Sequence, residues 1–229
     1  MSTGFAGNAA ARAAILQRVR SALGREGAPA ARERAAADAG VAAHRHGPRP
    51  VMPADLVAHF LRRATDMAST VDRVEAPDAI PGAVARYLAR LAPLPAAPLS
   101  RAGVCWPEFA DLDWHGAGLA IEPRAATGDD RLAITGAFCA VAETGTLVVT
   151  SGAATPTAST LLPETHVAVV RADRIVAGME EAFALVREEC RPWPRAVNLI
   201  SGPSRTGDIE QTIVLGAHGP FRVHLLVLG

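Results

Sequence analysis

Cysteine, charge imbalance and long apolar runs are all scarce in this chain. Its three cysteines, Cys105, Cys139 and Cys190, lie far apart and never fall in a C-x-x-C pair. That spacing argues against a disulfide framework, a zinc knuckle or an iron–sulfur cluster held by this chain, and it suits a reducing cytoplasm. Lysine plus arginine and aspartate plus glutamate both number 23, and the arginines are dispersed, so nucleic acid is not the indicated partner. No stretch reaches the roughly 18 apolar residues of a membrane span. Met1 to Ala10 lacks the basic and apolar regions of an export signal. A soluble, unexported, cytoplasmic protein is predicted.

What is present is apolar content: 49% of 229 residues, enough for one sizeable α/β core with an appended arm. Residues 1–50 are predicted as an N-terminal helix followed by a flexible linker, and residues 51–229 as the domain. In the first helix, Ile15, Val19 and Leu23 recur every four positions and Gly24 follows as the closing C′ residue, a stripe that predicts packing. Arg25 to Pro50 shows no apolar period beyond alanine, with at most a helical turn around Arg32 to Ala37, and its His44 and His46 read as solvated.

From Pro53, at an N1-like position, the set Leu56, Val57, Phe60, Leu61 and Ala64 predicts a helix, and Thr70 to Val74 a strand. A third helix carries Val84, Tyr87, Leu88 and Leu91, stopped by Pro93 and Pro95. Further strands are predicted at Gly103–Trp106, within Ile134–Val149, at His166–Val170 and at Ala196–Ile200. Asp173 is predicted to cap a helix burying Ile175, Met179, Phe183 and Val186. Phe221, Val223, Leu225 and Val227 alternate as a last strand. Helix and strand in repeated succession imply a central parallel or mixed sheet flanked by helices.

Two stretches stand out chemically. Glu143-Thr144-Gly145-Thr146 interrupts a buried apolar run, so a carboxylate and a glycine meet where a strand ends. Glu143 there can serve as nucleophile, general base or hydrogen-bond anchor, or simply pair with an arginine such as Arg205. The second stretch, Ser201-Gly202-Pro203-Ser204-Arg205-Thr206-Gly207-Asp208, follows a strand, with His218-Gly219-Pro220 beyond it. Amides, the hydroxyls of Ser201, Ser204 and Thr206, and the Arg205 guanidinium can bind a carboxylate or phosphate at the carboxyl end of a strand, with Asp208 capping a following helical turn. His218 can carry a proton or be held by a backbone carbonyl. The hydroxyl-rich loop Ser151–Ser159 can cradle an anion or be an ordinary connection.

These stretches, together with Gly136-Ala137-Phe138, Leu162-Pro163-Glu164-Thr165-His166 and Gly216-Ala217-His218, resemble the lactate utilisation protein C family, the LutC/YkgG group of LUD-domain proteins. The resemblance spans about residues 50 to 229 and suits the N-terminal helix as the family's arm. It implies a fold like the NagB/RpiA/CoA-transferase group. It also implies a part in oxidising L-lactate to pyruvate, beside two partners, the A- and B-type lactate utilisation proteins, that carry iron–sulfur clusters while this chain holds no cofactor. Small-carboxylate binding by Thr144, Gly145, Ser201, Gly202, Ser204, Arg205, Thr206, Asp208 and His218 follows as an expectation. The alternative is a free-standing CoA-transferase-like or phosphosugar-binding enzyme using Glu143, since Glu143-Thr144-Gly145 has the look of a thioester-forming Glu-x-Gly; no glycine-rich CoA signature accompanies it.

Overall fold

The structure, a computed structural model, describes residues 4–25, 31–91, 100–207 and 214–229. It forms two compact units, residues 1–48 and 49–229. The first holds α1 (Gly4–Ala22) and α2 (Ala31–Ala42). α1 closes as predicted: Gly24 takes φ +63°, with Arg25 N–H bonded to the Arg20 carbonyl and Gly24 N–H to that of Ser21. This paired pattern is the Schellman closure, which needs a left-handed residue at C′. The predicted packing stripe is exposed instead, Ile15, Val19 and Leu23 retaining 62%, 49% and 65% of their surface. Where a flexible linker with one helical turn is predicted, α2 runs for 12 residues. Alanine, the best helix former, dominates it without producing any apolar period to reveal it.

The second unit contains, in chain order, α3 (Leu56–Asp66), β1 (Thr70–Val74), α4 (Ile80–Leu91), β2 (Ala102–Cys105), β3 (Ala120–Pro123), β4 (Leu132–Gly136), β5 (Cys139–Val141) and β6 (Thr146–Thr150). There follow α5 (Ala158–Leu161), β7 (Thr165–Arg171), β8 (Ile175–Val176), α6 (Met179–Glu189), β9 (Val197–Ile200), β10 (Arg205–Thr206), β11 (Val214–Leu215) and β12 (Arg222–Leu228). Six strands make a sheet of order β1-β12-β7-β4-β2-β3, every neighbouring pair parallel. Four more make a mixed sheet, β8-β5-β6-β9, and β10 pairs β11 in a two-stranded ribbon. The fold is α/β, with a mostly parallel central sheet flanked by helices.

Helices cover both faces of the parallel sheet. Ile80, Val84, Tyr87 and Leu88 of α4 pack with Val167, Val169 and Leu226. Phe60 and Ala64 of α3 pack with Ala168, Val170, Leu225 and Val227 on the other side. A central parallel strand therefore buries successive residues, not alternate ones. That corrects the alternation read in Phe221 to Val227: all of Val223–Val227 is buried, His224 included, while Phe221 precedes the strand and is exposed.

Three local predictions are also corrected. α3 is capped by Asp55, whose Oδ1 accepts from Ala58 N–H at 2.9 Å, not begun by Pro53. Asp173 caps no helix: it pairs with Arg171 in a 3-10 turn, and the β-branched pair Ile175–Val176 forms β8. α6 starts only at Met179, where Glu181 Oε2 accepts from Gly178 N–H at 2.9 Å. The stop at Pro93 and Pro95 and the helical turn from Asp208 lie outside the described residues.

Candidate functional site

The two chemical stretches meet at the C-terminal end of α3. Gly145 takes φ +66°, and a Cβ there would fall 2.4 Å from the Ala64 nitrogen. Gly202 takes φ +76°, and a Cβ there would fall 2.0 Å from the Met67 oxygen. Both positions require glycine for conformation and for space. Hydroxyls then join the stretches: Thr144 Oγ1 lies 2.7 Å from Thr146 Oγ1, which lies 2.6 Å from Ser201 Oγ. Arg63 Nε donates to the Glu143 carbonyl at 3.2 Å, so the last turn of α3 is fixed from both sides.

Arg205 and its loop continue this clasp. Arg205 Nη2 donates to the Met67 carbonyl at 2.7 Å. Arg205 and Thr206 are strand residues of β10, in register with Leu215 and Val214. Ser204 N–H donates to the Pro220 carbonyl, and Gly216 N–H to that of Ser204, each at 2.9 Å. The exposed His218 sits beside them, its N–H 3.4 Å from Ser204 Oγ. Met67 leads into β1 and Pro220 into β12, so the second stretch lies at the amino-terminal edge of the parallel sheet. The sequence suggests the carboxyl end of a strand, which holds for β9 alone. Asp208 lies outside the described residues.

Glu143 points elsewhere. Its N–H bonds to the Ala177 carbonyl at 3.0 Å, and its carboxylate lies against Gly178 together with Arg49 Nη2 and Glu181 Oε2. Arg49 is the arginine of this cluster: it donates to Glu181 at 2.6 Å and approaches Glu180 at 3.7 Å. The Glu181 hydrogen bond first, and the charges of Glu181, Glu180 and Glu143 after it, hold the guanidinium above its ordinary pKa. Glu143 thus has Arg49 as its cationic neighbour, and Arg205, suggested by sequence, is occupied at Met67.

Sequence reasoning missed a cavity of 400 Å³ between β1 and α4, lined by Thr65, Ser69, Thr70, Val71, Asp72, Tyr87, Arg90 and Leu91. Thr70 and His224 are register partners across β1 and β12, and His224 Nδ1 lies 2.9 Å from Thr70 Oγ1. The imidazole stacks on Tyr87 at 3.9 Å and 3°, and its Nε2 is 3.8 Å from Asp72 Oδ2. Burial pushes its pKa down to about 4, despite the opposing charge of Asp72. Only the isolated histidine inside an apolar run signals this constellation in the sequence.

A second, wider cavity of 810 Å³ lies between Ser151–Ala153 and Pro192–Ala196, with Trp193 and Arg195 on its wall. The hydroxyl-rich loop borders it, tied by Ala196 N–H to Ser151 Oγ at 2.9 Å. Among the described residues, no three His, Cys, Asp or Glu side chains gather as a metal site. Burial pushes the Cys105 and Cys139 thiols up to about 11. No described helix is long and apolar enough to cross a membrane.

Comparison with known proteins adds the following. The model of the LUD domain matches residues 108–228. Lactate utilization protein C of Deinococcus radiodurans is 32% identical over 189 residues, which cover 80% of this chain and 84% of that protein. Lactate utilization protein C of Bacillus licheniformis is 31% identical over 134 residues, 54% of this chain and 53% of that protein. The crystal structure of a DUF162 family protein from Deinococcus radiodurans matches with a TM-score of 0.56 at 25% identity, covering 79% of this chain and all of that one.

Proposed function

Since the chain belongs to the LUD domain family, we propose that it serves lactate utilisation, as a subunit acting with iron–sulfur partner proteins of the A and B types in the oxidation of L-lactate to pyruvate. One observation carries the reading: similarity to a protein named lactate utilization protein C extends over 84% of that protein's length. Within that role the chain handles a small carboxylate at the sheet edge where Thr144, Ser201, Ser204, Arg205 and His218 gather on the end of α3. In support, two hydroxyl-bearing stretches from distant parts of the sequence, the second carrying the Arg205 guanidinium, converge there. The clusters that pass electrons belong to the partners, in a cytoplasmic setting.

The test is recovery of the tagged full chain from cells grown on lactate, with iron content and lactate-dependent dye reduction measured on what accompanies it. Iron-bearing partners, and activity that disappears when this chain is removed, are the expected result. An iron-free protein recovered alone, with lactate oxidation intact in cells lacking it, overturns the proposal.

A further inference from the structure

The hydroxyl-rich loop that begins at Ser151 has no part in the carboxylate site, yet it forms one wall of the 810 Å³ cavity. The cavity exists because a ladder ends. β6 and β9 pair antiparallel as far as Thr150 and Val197. One reciprocal contact follows, in which Ser151 N–H donates to the Ala196 carbonyl and Ala196 N–H to Ser151 Oγ, each at 2.9 Å. Beyond it the two chains separate, and each is held in place. On one side Thr155 Oγ1 donates to the Thr150 carbonyl at 2.7 Å, and Thr155 N–H to that of Gly152 at 3.2 Å. On the other, Pro192 and Pro194 flank Trp193. A proline fixes its own φ and restricts the residue before it, so the indole stands on stiff backbone.

The walls differ in chemistry and together describe a ligand. Trp193 is 53% exposed, whereas Trp106 and Trp114 are core residues. An indole left in solvent on a cavity wall is a stacking surface for a flat ring. Arg195 makes no ion pair or hydrogen bond among the described residues, and no carboxylate lines the cavity. Its planar fork of donors is therefore free for an anion. The facing wall adds donors: the amides of Gly152 and Ala153 are unpaired among the described residues, and the Thr157 hydroxyl caps nothing. Donors from both walls suit the three terminal oxygens of a phosphate better than the two of a carboxylate. The volume is that of a small-metabolite site, and one guanidinium answers one phosphate, not the phosphate row of a nucleic-acid strand. We propose that this cavity binds a nucleoside monophosphate, its base stacked on Trp193 and its phosphate held by Arg195 with Thr157 and the Gly152 and Ala153 amides. The site is independent of the lactate reading above.

The experiment is calorimetric titration of the full chain with AMP, with its parts adenosine and ribose 5-phosphate, and with benzoate, a flat ring bearing only a carboxylate. Saturable AMP binding is expected, with each of the other three roughly tenfold weaker or worse. Trp193→Ala and Arg195→Gln change exposed side chains, and circular dichroism checks that both fold. Each should lower AMP affinity roughly tenfold or more, the first without affecting ribose 5-phosphate and the second without affecting adenosine. Indole fluorescence, excited at the red edge where the base does not absorb, should be quenched by AMP in the native chain and not in Trp193→Phe. No saturable AMP binding, or adenosine or benzoate bound as tightly as AMP, overturns the proposal. So does AMP affinity unchanged in either folded variant, or a quench that persists in Trp193→Phe. The ligand series on the native chain decides the matter even where a variant fails to fold.

Discussion

Arg205 Nη2 stands 2.7 Å from the carbonyl oxygen of Met67, the C-cap residue of α3. A helix leaves its last carbonyls without intrahelical partners and carries partial negative charge there, so a guanidinium satisfies an orphan acceptor and the macrodipole together. The contact is exposed, which limits its value. Arg205→Ala should destabilise the fold by about 1 kcal/mol in urea titrations, Arg205→Lys by less. A change below a few tenths of a kcal/mol in both variants would show that the contact is structurally idle.

Gly145 and Gly202 approach the same helix end, one against Ala64 and the other against Met67. At both, an added Cβ meets backbone and not a flexible side chain tip, so relief requires moving α3. Gly202→Ala and Gly145→Ala should each cost on the order of 3 kcal/mol or more. Because both displace one turn, the double variant should cost less than the sum of the singles. Denaturation of the three variants measures this, and strict additivity would show that the two clasps act independently.

Ala68 and Gly24 close helices in the same way, at φ +64° and φ +63°. Ser69 N–H bonds to the Ala64 carbonyl and Ala68 N–H to that of Thr65, the pattern Arg25 and Gly24 make at the end of α1. Only one of the two has the residue that the left-handed region favours. Ala68→Gly should therefore raise stability by about 0.5–1 kcal/mol, read as a higher urea midpoint with an unchanged slope. A lower midpoint would mean that the Ala68 methyl makes contacts that outweigh its backbone strain.

What the sequence made legible was local. The runs Thr70–Val74 and His166–Val170 are apolar or β-branched enough to identify their strands, and Gly24 after an apolar stripe identifies a helix end. What stayed hidden depends on register or on distant pairing. Arg205 and Thr206 are strand residues only because Leu215 and Val214 lie opposite. Glu143 meets an arginine from the stretch read as linker, and His224 meets Thr70 from 154 residues away. α2 stayed hidden for the opposite reason, since alanine favours helix without leaving a face to see. Arg205, whose residue chemistry predicts carboxylate binding, also holds a helix end, a contact between residues 138 positions apart that only the fold reveals.

His166 and His224 are both completely buried, and burial pushes each pKa down to about 4. In the unfolded chain an imidazole titrates near 6.5. Above that value both states hold neutral histidines, and the folding free energy contains no titration term. As pH falls from about 6.5 toward 4, the unfolded chain takes up protons that the fold excludes, so stability is lost at up to about 1.4 kcal/mol per pH unit for each histidine. Below about pH 4 the folded state protonates too and this contribution levels off. Carboxylates held low in the fold, such as Glu181 beside Arg49, add their own loss only as pH nears the ordinary carboxylate range, and Glu108, which burial raises, opposes the loss just above that range, so the upper part of the interval, from about 6.5 downward, reports on the imidazoles. His224→Phe keeps a ring on Tyr87 and leaves Thr70, which is exposed, to bond with water. That variant should show about half the wild-type slope across that upper part of the interval when urea stability is measured at a series of pH values. An unaltered slope would assign the acid sensitivity to groups other than His224, and a slope abolished outright would leave nothing for His166 to contribute.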